Sequence, residues 1–340
     1  MLRLPAFRFR IARSLDEAAT VLADEGPEAR LVAGGTDLWP NMKRRHQSAR
    51  TVVSLMGLPE LRGIVANGEL RLGATAILDD VERHPAVRAR YPALARAVRS
   101  ISSPPLRNMA TLGGNLCVDT RCTYYNQTEE WRRSIDYCMK EEGTVCWVAP
   151  GSSRCWAHAA SDAAPVLCAL GAEVRLASTG GQRTLPVESL YRDDGIDYLA
   201  KQPQEILTAI HLPATAAVDA GCRASFWKLR RRGSIDFAVL SVAAAVWARP
   251  DGAVTDARLF LGAVGSMPLR VPGAADALIG GPLSEESIAA AAAAARKVAT
   301  PLDNTDFQAR WRGAMTARYT EAALREIGGL PPQVSPPDPP

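Results

Sequence analysis

At 340 residues the chain is long enough for two or three domains, each able to bury its own core. Its 40 Lys+Arg against 36 Asp+Glu leave a formal charge of +4, and no basic run is interleaved with aromatics, so a nucleic-acid partner is excluded. No stretch offers the roughly 18 apolar residues of a membrane span, which points to no membrane association and a cytoplasmic protein, and seven cysteines, an odd number, leave metal ligation or inert burial rather than a disulfide framework.

Ser14-Leu15-Asp16-Glu17 has the form of a capping box, Ala18, Val21 and Leu22 make an apolar stripe and Gly26 is a stop, predicting a helix over 14–25. A strand at Leu31-Val32-Ala33 runs into Gly34-Gly35-Thr36-Asp37, and a second at Val52-Val53-Ser54-Leu55 completes a small α/β unit. Alternation from Ile64 to Leu72, broken at Asn67-Gly68, predicts a hairpin with a type I′ turn and the start of an antiparallel sheet. Helical patterns at 77–81 and 92–98 lead to a second glycine run, Thr111-Leu112-Gly113-Gly114-Asn115. Strands at 172–176 and 205–212 return after a cysteine-bearing stretch, which reads as an insertion grafted onto that sheet. Small residues over 214–220 mark a linker. Strands at 225–229, 239–247 and 257–264 follow, then an alanine-rich helix capped by Ser284, predicting a separate α+β domain. Residues 329–340 read as a disordered, Pro-rich tail.

Glycine after a strand lets successive backbone N–H groups turn inward and admits a phosphate closely, so Gly34-Gly35-Thr36 is a candidate pyrophosphate loop, with a plain turn as the alternative. A second such loop suits the far end of an extended dinucleotide, with Thr111 and Asn115 offering side-chain hydrogen bonds. Neither a G-x-G-x-x-G fingerprint nor a P-loop is present. Five cysteines crowd into Cys117–Cys155, and Cys122, Cys138, Cys146 and Cys155 are separated by 15, 7 and 8 residues, a spacing of neither zinc ribbons nor compact ferredoxins. Four thiolates suit structural zinc or an iron–sulfur cluster, and a segment so poor in aliphatic periodicity requires a metal cross-link to be ordered. Trp131, Tyr137, Trp147 and Trp156 are expected to form a dry shell around the sulfurs. Arg121, Arg132, Arg133, Lys140 and Arg154 either offset thiolate charge or make a solvated face. Cys117 is expected to lie outside the ligand set, and Cys168 and Cys222 in the core. Four dispersed histidines and the absence of G-x-S-x-G leave hydrolase chemistry without a foothold.

Leu31–Leu38, Arg107–Asn115 and Ser161–Leu167 together resemble the FAD-binding medium subunit of the xanthine dehydrogenase family of molybdenum hydroxylases, over nearly the whole chain. Within that family the run Asp119-Thr120-Arg121-Cys122-Thr123-Tyr124-Tyr125-Asn126-Gln127, with Cys138, Cys146-Trp147 and Arg154-Cys155, is similar to the 4Fe-4S insertion of the flavoprotein subunit of 4-hydroxybenzoyl-CoA reductases. The resemblance implies an α+β fold: a PCMH-type FAD-binding domain over 1–215, made of α/β subdomains 1–56 and 57–215 with the insertion at about 117–158, and a CO dehydrogenase flavoprotein C-terminal-like domain over 220–328. It implies FAD on Leu31, Val32, Ala33, Gly34, Gly35, Thr36, Asp37, Leu38, Ala110, Thr111, Gly114, Asn115, Asp162, Leu207 and Lys228, with Asp236 a weaker candidate. A 4Fe-4S cluster would sit on Cys122, Cys138, Cys146 and Cys155. A molybdenum-cofactor large subunit and a 2Fe-2S small subunit would complete a heterotrimer, itself dimerised, fed by ferredoxin and reducing 4-hydroxybenzoyl-CoA to benzoyl-CoA. The alternatives are the FAD subunit of a hydroxylase oxidising another aromatic substrate and a zinc-stapled, nucleotide-binding scaffold. Two departures from the family pattern are Ser102-Ser103-Pro104-Pro105, beside the expected flavin position, and Asn304-Thr305-Asp306-Phe307, which lacks an expected glycine.

Overall fold

A computed structural model describes residues 2–331, so most of the expected Pro-rich tail, 332–340, lies outside the described residues. The chain opens with β1 (Arg8–Ile11), α1 (Leu15–Glu25), β2 (Ala29–Val32), α2 (Leu38–Lys43) and β3 (Thr51–Ser54), and the three strands form a parallel sheet in the order β1-β3-β2. Ser14 Oγ accepts from Glu17 N at 3.1 Å, but the Glu17 carboxylate accepts from Arg13 N, so the predicted capping box is displaced by one residue. Gly26 ends α1 with φ 55°.

The second unit carries β4 (Ile64–Asn67) and β5 (Glu69–Gly73), then α3 (Leu78–Arg83), α4 (Pro85–Arg90), α5 (Pro92–Arg99), α6 (Pro104–Arg107) and α7 (Leu112–Leu116). After α8 (Glu129–Ser134) in the insertion come α9 (Ala163–Ala169), β6 (Glu173–Ser178), β7 (Gly181–Pro186) and β8 (Ile206–Leu212). Its five strands run antiparallel in the order β4-β5-β8-β6-β7. The β4–β5 hairpin is as predicted; its turn is not type I′, because Asn67 pairs with Glu69 and Gly68 alone takes a positive φ, 77°. The insertion leaves the end of α7 and returns to the start of α9, so it joins two helices rather than the sheet. Its stem is closed by Arg121 and His158, whose backbones exchange hydrogen bonds of 2.9 and 2.8 Å.

The last unit has β9 (Cys222–Leu229), β10 (Leu240–Ala248), β11 (Val254–Gly262) and β12 (Leu269–Arg270) in the order β12-β11-β10-β9, followed by α10 (Pro272–Leu278), α11 (Glu285–Val298) and α12 (Ala309–Gly328). This sheet is buried on both faces. Phe226, Ala243, Ala245 and Phe260 point into the same core as α5 and α9, while Trp227, Val242, Ala244 and Leu259 meet α10, α11 and α12. Strand alternation therefore ties the expected separate domain to the one before it, and explains why β10 is apolar almost throughout.

Candidate site: two glycine loops and a thiol pocket

The first glycine loop links β2 to α2, and Gly35 adopts φ 72°. A Cβ on Gly34 would collide with the Met109 carbonyl, and one on Gly35 with the Trp39 indole. The first loop thus lies directly against the Met109-Ala110 backbone that enters the second. In that second loop Thr111 Oγ1 caps α7 by accepting from Gly114 N at 3.2 Å, and Gly113 N donates to Ala74 O at 2.8 Å, where a Cβ on Gly113 would come within 2.7 Å. The residues expected to line one dinucleotide, 31–38 and 110–115, are therefore adjacent in space. Asn115 Oδ1 is already used, accepting from Ser161 Oγ at 2.9 Å and Ala163 N at 3.2 Å, which locks α7 to the start of α9.

Asp162 stands just before α9, and Lys228 reaches it from β9: the Nζ donates to Asp162 Oδ2 at 2.7 Å and to the carbonyls of Ser100 and Asp236, both at 3.0 Å. Both side chains are buried. Burial pushes the Asp162 carboxyl up, against the pull of Lys228. Asp162 Oδ1 has no donor. A buried acceptor left unpaired costs about 1–3 kcal/mol, so a ligand N–H or O–H fits there, as do phosphate oxygens over the glycine amides. Leu207, on β8, shares the core with Leu112 and Ala163. Asp236 contributes its carbonyl; its carboxylate instead accepts from Arg231 N and Arg232 N.

Cys122, Cys138, Cys146 and Cys155 are buried and free. Cys122, Cys138 and Cys155 share a small apolar cluster with Tyr125 and Ala157, flanked by Tyr124, Met139 and Val148, and Cys146 acts electrostatically on all three. Burial pushes Cys122 up to about 11 and Cys155 up to about 12, and raises Cys138; the neighbouring thiols add to this. Backbone N–H groups are aimed at the sulfurs: those of Tyr124 and Tyr125 at Cys122, of Lys140 at Cys138, and of Ala157 at Cys155, the last at 3.4 Å. A Cβ on Gly195 would sit 2.6 Å from Cys155 Sγ, so this wall of the pocket has no room for a side chain. Among the described residues no three His, Cys, Asp or Glu converge on a single metal ion. Thiolate ligands with N–H···S donors are the donor set of an iron–sulfur cluster, and raised thiol pKa values mean that any metal must displace protons to bind.

The expected tryptophan shell is not formed. Trp131 and Trp147 are each 38% exposed, and Trp156 lies under the Arg154 guanidinium at 3.5 Å, because Tyr124, Tyr125 and Met139 occupy the space beside the sulfurs. The bases are not a uniform solvated face either. Lys140 Nζ donates to Asp119 Oδ1 at 2.8 Å, Thr120 Oγ1 at 2.8 Å and Gly195 O at 2.6 Å, and lies 4.9 Å from the centre of the Tyr125 ring. Arg132 is buried 2.7 Å from Glu141, with the carbonyls of Gln127 and Arg44 completing its shell. Arg121 pairs with Asp37. Only Arg133 of the five is largely in solvent. Cys117 lies outside the pocket, its carbonyl accepting from Tyr198 OH, and Cys168 and Cys222 are in the main core. Asp119 opens the run that carries the resemblance but has no role assigned there, and Gly195 escaped the sequence reading because it reaches the cysteines only through tertiary folding.

Residues 5–215 match the family model described as FAD binding domain in molybdopterin dehydrogenase, and residues 224–327 that of the CO dehydrogenase flavoprotein C-terminal domain. The carbon monoxide dehydrogenase medium chain of Hydrogenophaga pseudoflava is 27% identical over 321 residues, covering 94% of this chain and 96% of that one. The aldehyde oxidoreductase FAD-binding subunit of Escherichia coli K12 is 32% identical over 291 residues, covering 81% and 86%. The solved structure of the Hydrogenophaga pseudoflava carbon monoxide dehydrogenase lacking the Mo-pyranopterin moiety superposes with a TM-score of 0.79 at 26% identity, covering 96% of this chain and 99% of the other. The chain belongs to the FAD-binding medium subunits of the xanthine dehydrogenase and CO dehydrogenase family, oxidoreductases of the molybdenum hydroxylase type.

Proposed function

We propose that this chain is an electron-entry subunit that holds FAD between its two glycine loops and a 4Fe-4S cluster on Cys122, Cys138, Cys146 and Cys155. The observation that supports the reading is the group of four buried, free cysteines, three of them clustered with backbone N–H groups aimed at their sulfurs, on an insertion tied to the first glycine loop by the Arg121–Asp37 pair. FAD supplies exchange of one or two electrons between carriers, and the chain's own residues bind, orient and desolvate. The amides of Gly34 and Gly35 take the diphosphate, Asp162 Oδ1 accepts from the flavin side, and Lys228 keeps that carboxylate in place. No acid, base or nucleophile of this chain is assigned to the organic substrate.

In the assembly proposed, a molybdenum-cofactor large subunit and a 2Fe-2S small subunit complete a heterotrimer that pairs into a dimer. Reduced ferredoxin would supply the electrons, and two electrons with two protons would release the phenolic hydroxyl of 4-hydroxybenzoyl-CoA as water. The cysteine insertion supports this choice, since its motif is what resembles that reductase. The second reading, a hydroxylase running in the oxidising direction, is favoured by relatives named for carbon monoxide and aldehyde oxidation. Anaerobic purification should yield about four iron and four sulfide per chain with an EPR signal on reduction; zinc in their place ends the cluster reading. Turnover of 4-hydroxybenzoyl-CoA by the purified complex with reduced viologen is expected, and turnover confined to N-heterocycles or aldehydes with an oxidising dye would replace it with the second reading.

A further inference from the structure

We propose that Arg121 couples the two cofactor sites, so that FAD in the glycine loops and the cluster in the thiol pocket bind more tightly together than either does alone. The inference rests on the function proposed above. Arg121 immediately precedes Cys122 and is 5% exposed. Its guanidinium is paired with Asp37 and donates to Asn41 Oδ1 at 3.2 Å, and Asn41 Nδ2 closes the triangle by donating to Asp37 Oδ2 at 2.9 Å. Asp37 stands two residues after Gly35, at the start of α2, so these bonds end on the first glycine loop. The Arg121 backbone meanwhile exchanges two hydrogen bonds with His158 and so fixes both ends of the insertion. One residue thus bonds to the first glycine loop and to the return limb, and is joined through the chain to the first cysteine.

The Phe237 ring, from the stretch between β9 and β10, lies 4.9 Å from the guanidinium and packs against it. Taking Arg121 away would strip the half-buried Asp37 carboxylate of its cation, so the loop and the insertion stem are in register together or out of register together. A diphosphate that fixes Gly34 and Gly35 fixes Asp37, hence Arg121, hence Cys122. Linkage requires the reverse effect to be equal.

The test uses the full chain, purified anaerobically, and measures the FAD dissociation constant by flavin fluorescence with the cluster present and after its removal by chelation. Removal should weaken FAD about tenfold in the natural sequence, inside the usual range of coupling. In Arg121→Met that ratio should fall below about twofold, and the reduced cluster's EPR line shape should no longer respond to FAD; Arg121→Lys, which keeps the charge on Asp37, should recover part of the ratio. Asp37→Asn breaks the same link from the loop side and replaces Arg121→Met if that variant does not fold. An unchanged ratio in the variants, or a ratio of one in the natural sequence with both cofactors bound, overturns the coupling and leaves the functional reading standing. Iron analysis of the starting protein separates that result from failure of the reading: a chain without iron overturns both.

Discussion

Gly34 has little freedom to change, because the atom its Cβ would strike is the Met109 carbonyl, part of a backbone held by its own turn. Gly114 differs: a Cβ there meets only the Thr111 hydroxyl, at 2.9 Å, which can rotate. Gly34→Ala must therefore part the two loops, an overpacking of about 3 kcal/mol, and is expected to weaken FAD roughly a hundredfold, with Gly114→Ala well below that. Flavin titration of the two variants checks the contrast, and equal losses would refute it. His158 tests the same region through pH. Burial pushes its ring down to about 4 from 6.5, against the pull of the Ala159 carbonyl 3.0 Å from its Nδ1, so the folded chain keeps the ring neutral. Its depressed pKa makes that contribution complete above pH 6.5 and lost as pH falls through 4, roughly 3 kcal/mol in all. His158→Asn keeps a donor without the titration. The gap in urea-unfolding free energy between the two proteins should shrink by about that amount from pH 7 to pH 4; a gap independent of pH would show that His158 titrates normally.

Among the elements, α12 shows best what the sequence concealed. It spans 20 residues, yet its buried side includes Arg312, Thr316, Thr320 and Arg325, so no apolar stripe announces it. Arg312 is fully buried without a carboxylate partner; it donates to the carbonyls of Val239 at 2.9 Å, Leu302 at 2.8 Å and Ala263 at 2.6 Å, joining α12 to the ends of β10 and β11. Arg312→Met would strip three buried carbonyls of their donor, at about 1–3 kcal/mol each before water enters, and should lower the unfolding free energy by about 3 kcal/mol or more. A loss under about 1 kcal/mol by denaturant titration would mean that the guanidinium is dispensable. β1 was hidden for the opposite reason: Arg-Phe-Arg-Ile is an edge strand exposed along its whole length, with no buried face to impose a pattern. Where apolar periodicity reaches the core directly, as in β8, β10 and α11, sequence and structure agree to within a few residues. The same division holds at the site. Glycine loops and a cysteine quartet are legible because their chemistry depends on residue type. The Gly34–Met109 contact, the Asp37–Arg121 pair and the Gly195 wall depend on segments about 40 to 80 residues apart and leave no local trace.

For the molecule as a whole, two kinds of cohesion meet. The C-terminal sheet and the FAD-binding part share a broad apolar core through α5 and α9, which makes them one cooperative body. The insertion has no such core: five buried residues form its cluster, three of them the thiols of Cys122, Cys138 and Cys155. The rest of its order comes from buried ion pairs, Lys140 with Asp119 and Arg132 with Glu141, and from the stem at Arg121 and His158. Apolar burial of that size is small against the ordering of more than 30 residues at about 1–2 kcal/mol each, so the insertion is expected to open more easily than the body that carries it, and the proposed cluster would add to its order. Arg132 and Lys140 report its opening cleanly. Their side chains are 1% and 6% exposed, and trypsin can reach them only when the segment opens. Cluster-loaded chain should resist cleavage after both, whereas chelated chain should be cut there first, and the nicked product should stay folded because the broad core does not pass through the insertion. Equal cleavage rates with and without iron would mean that the ion pairs alone hold the insertion, and that a metal is not what orders it.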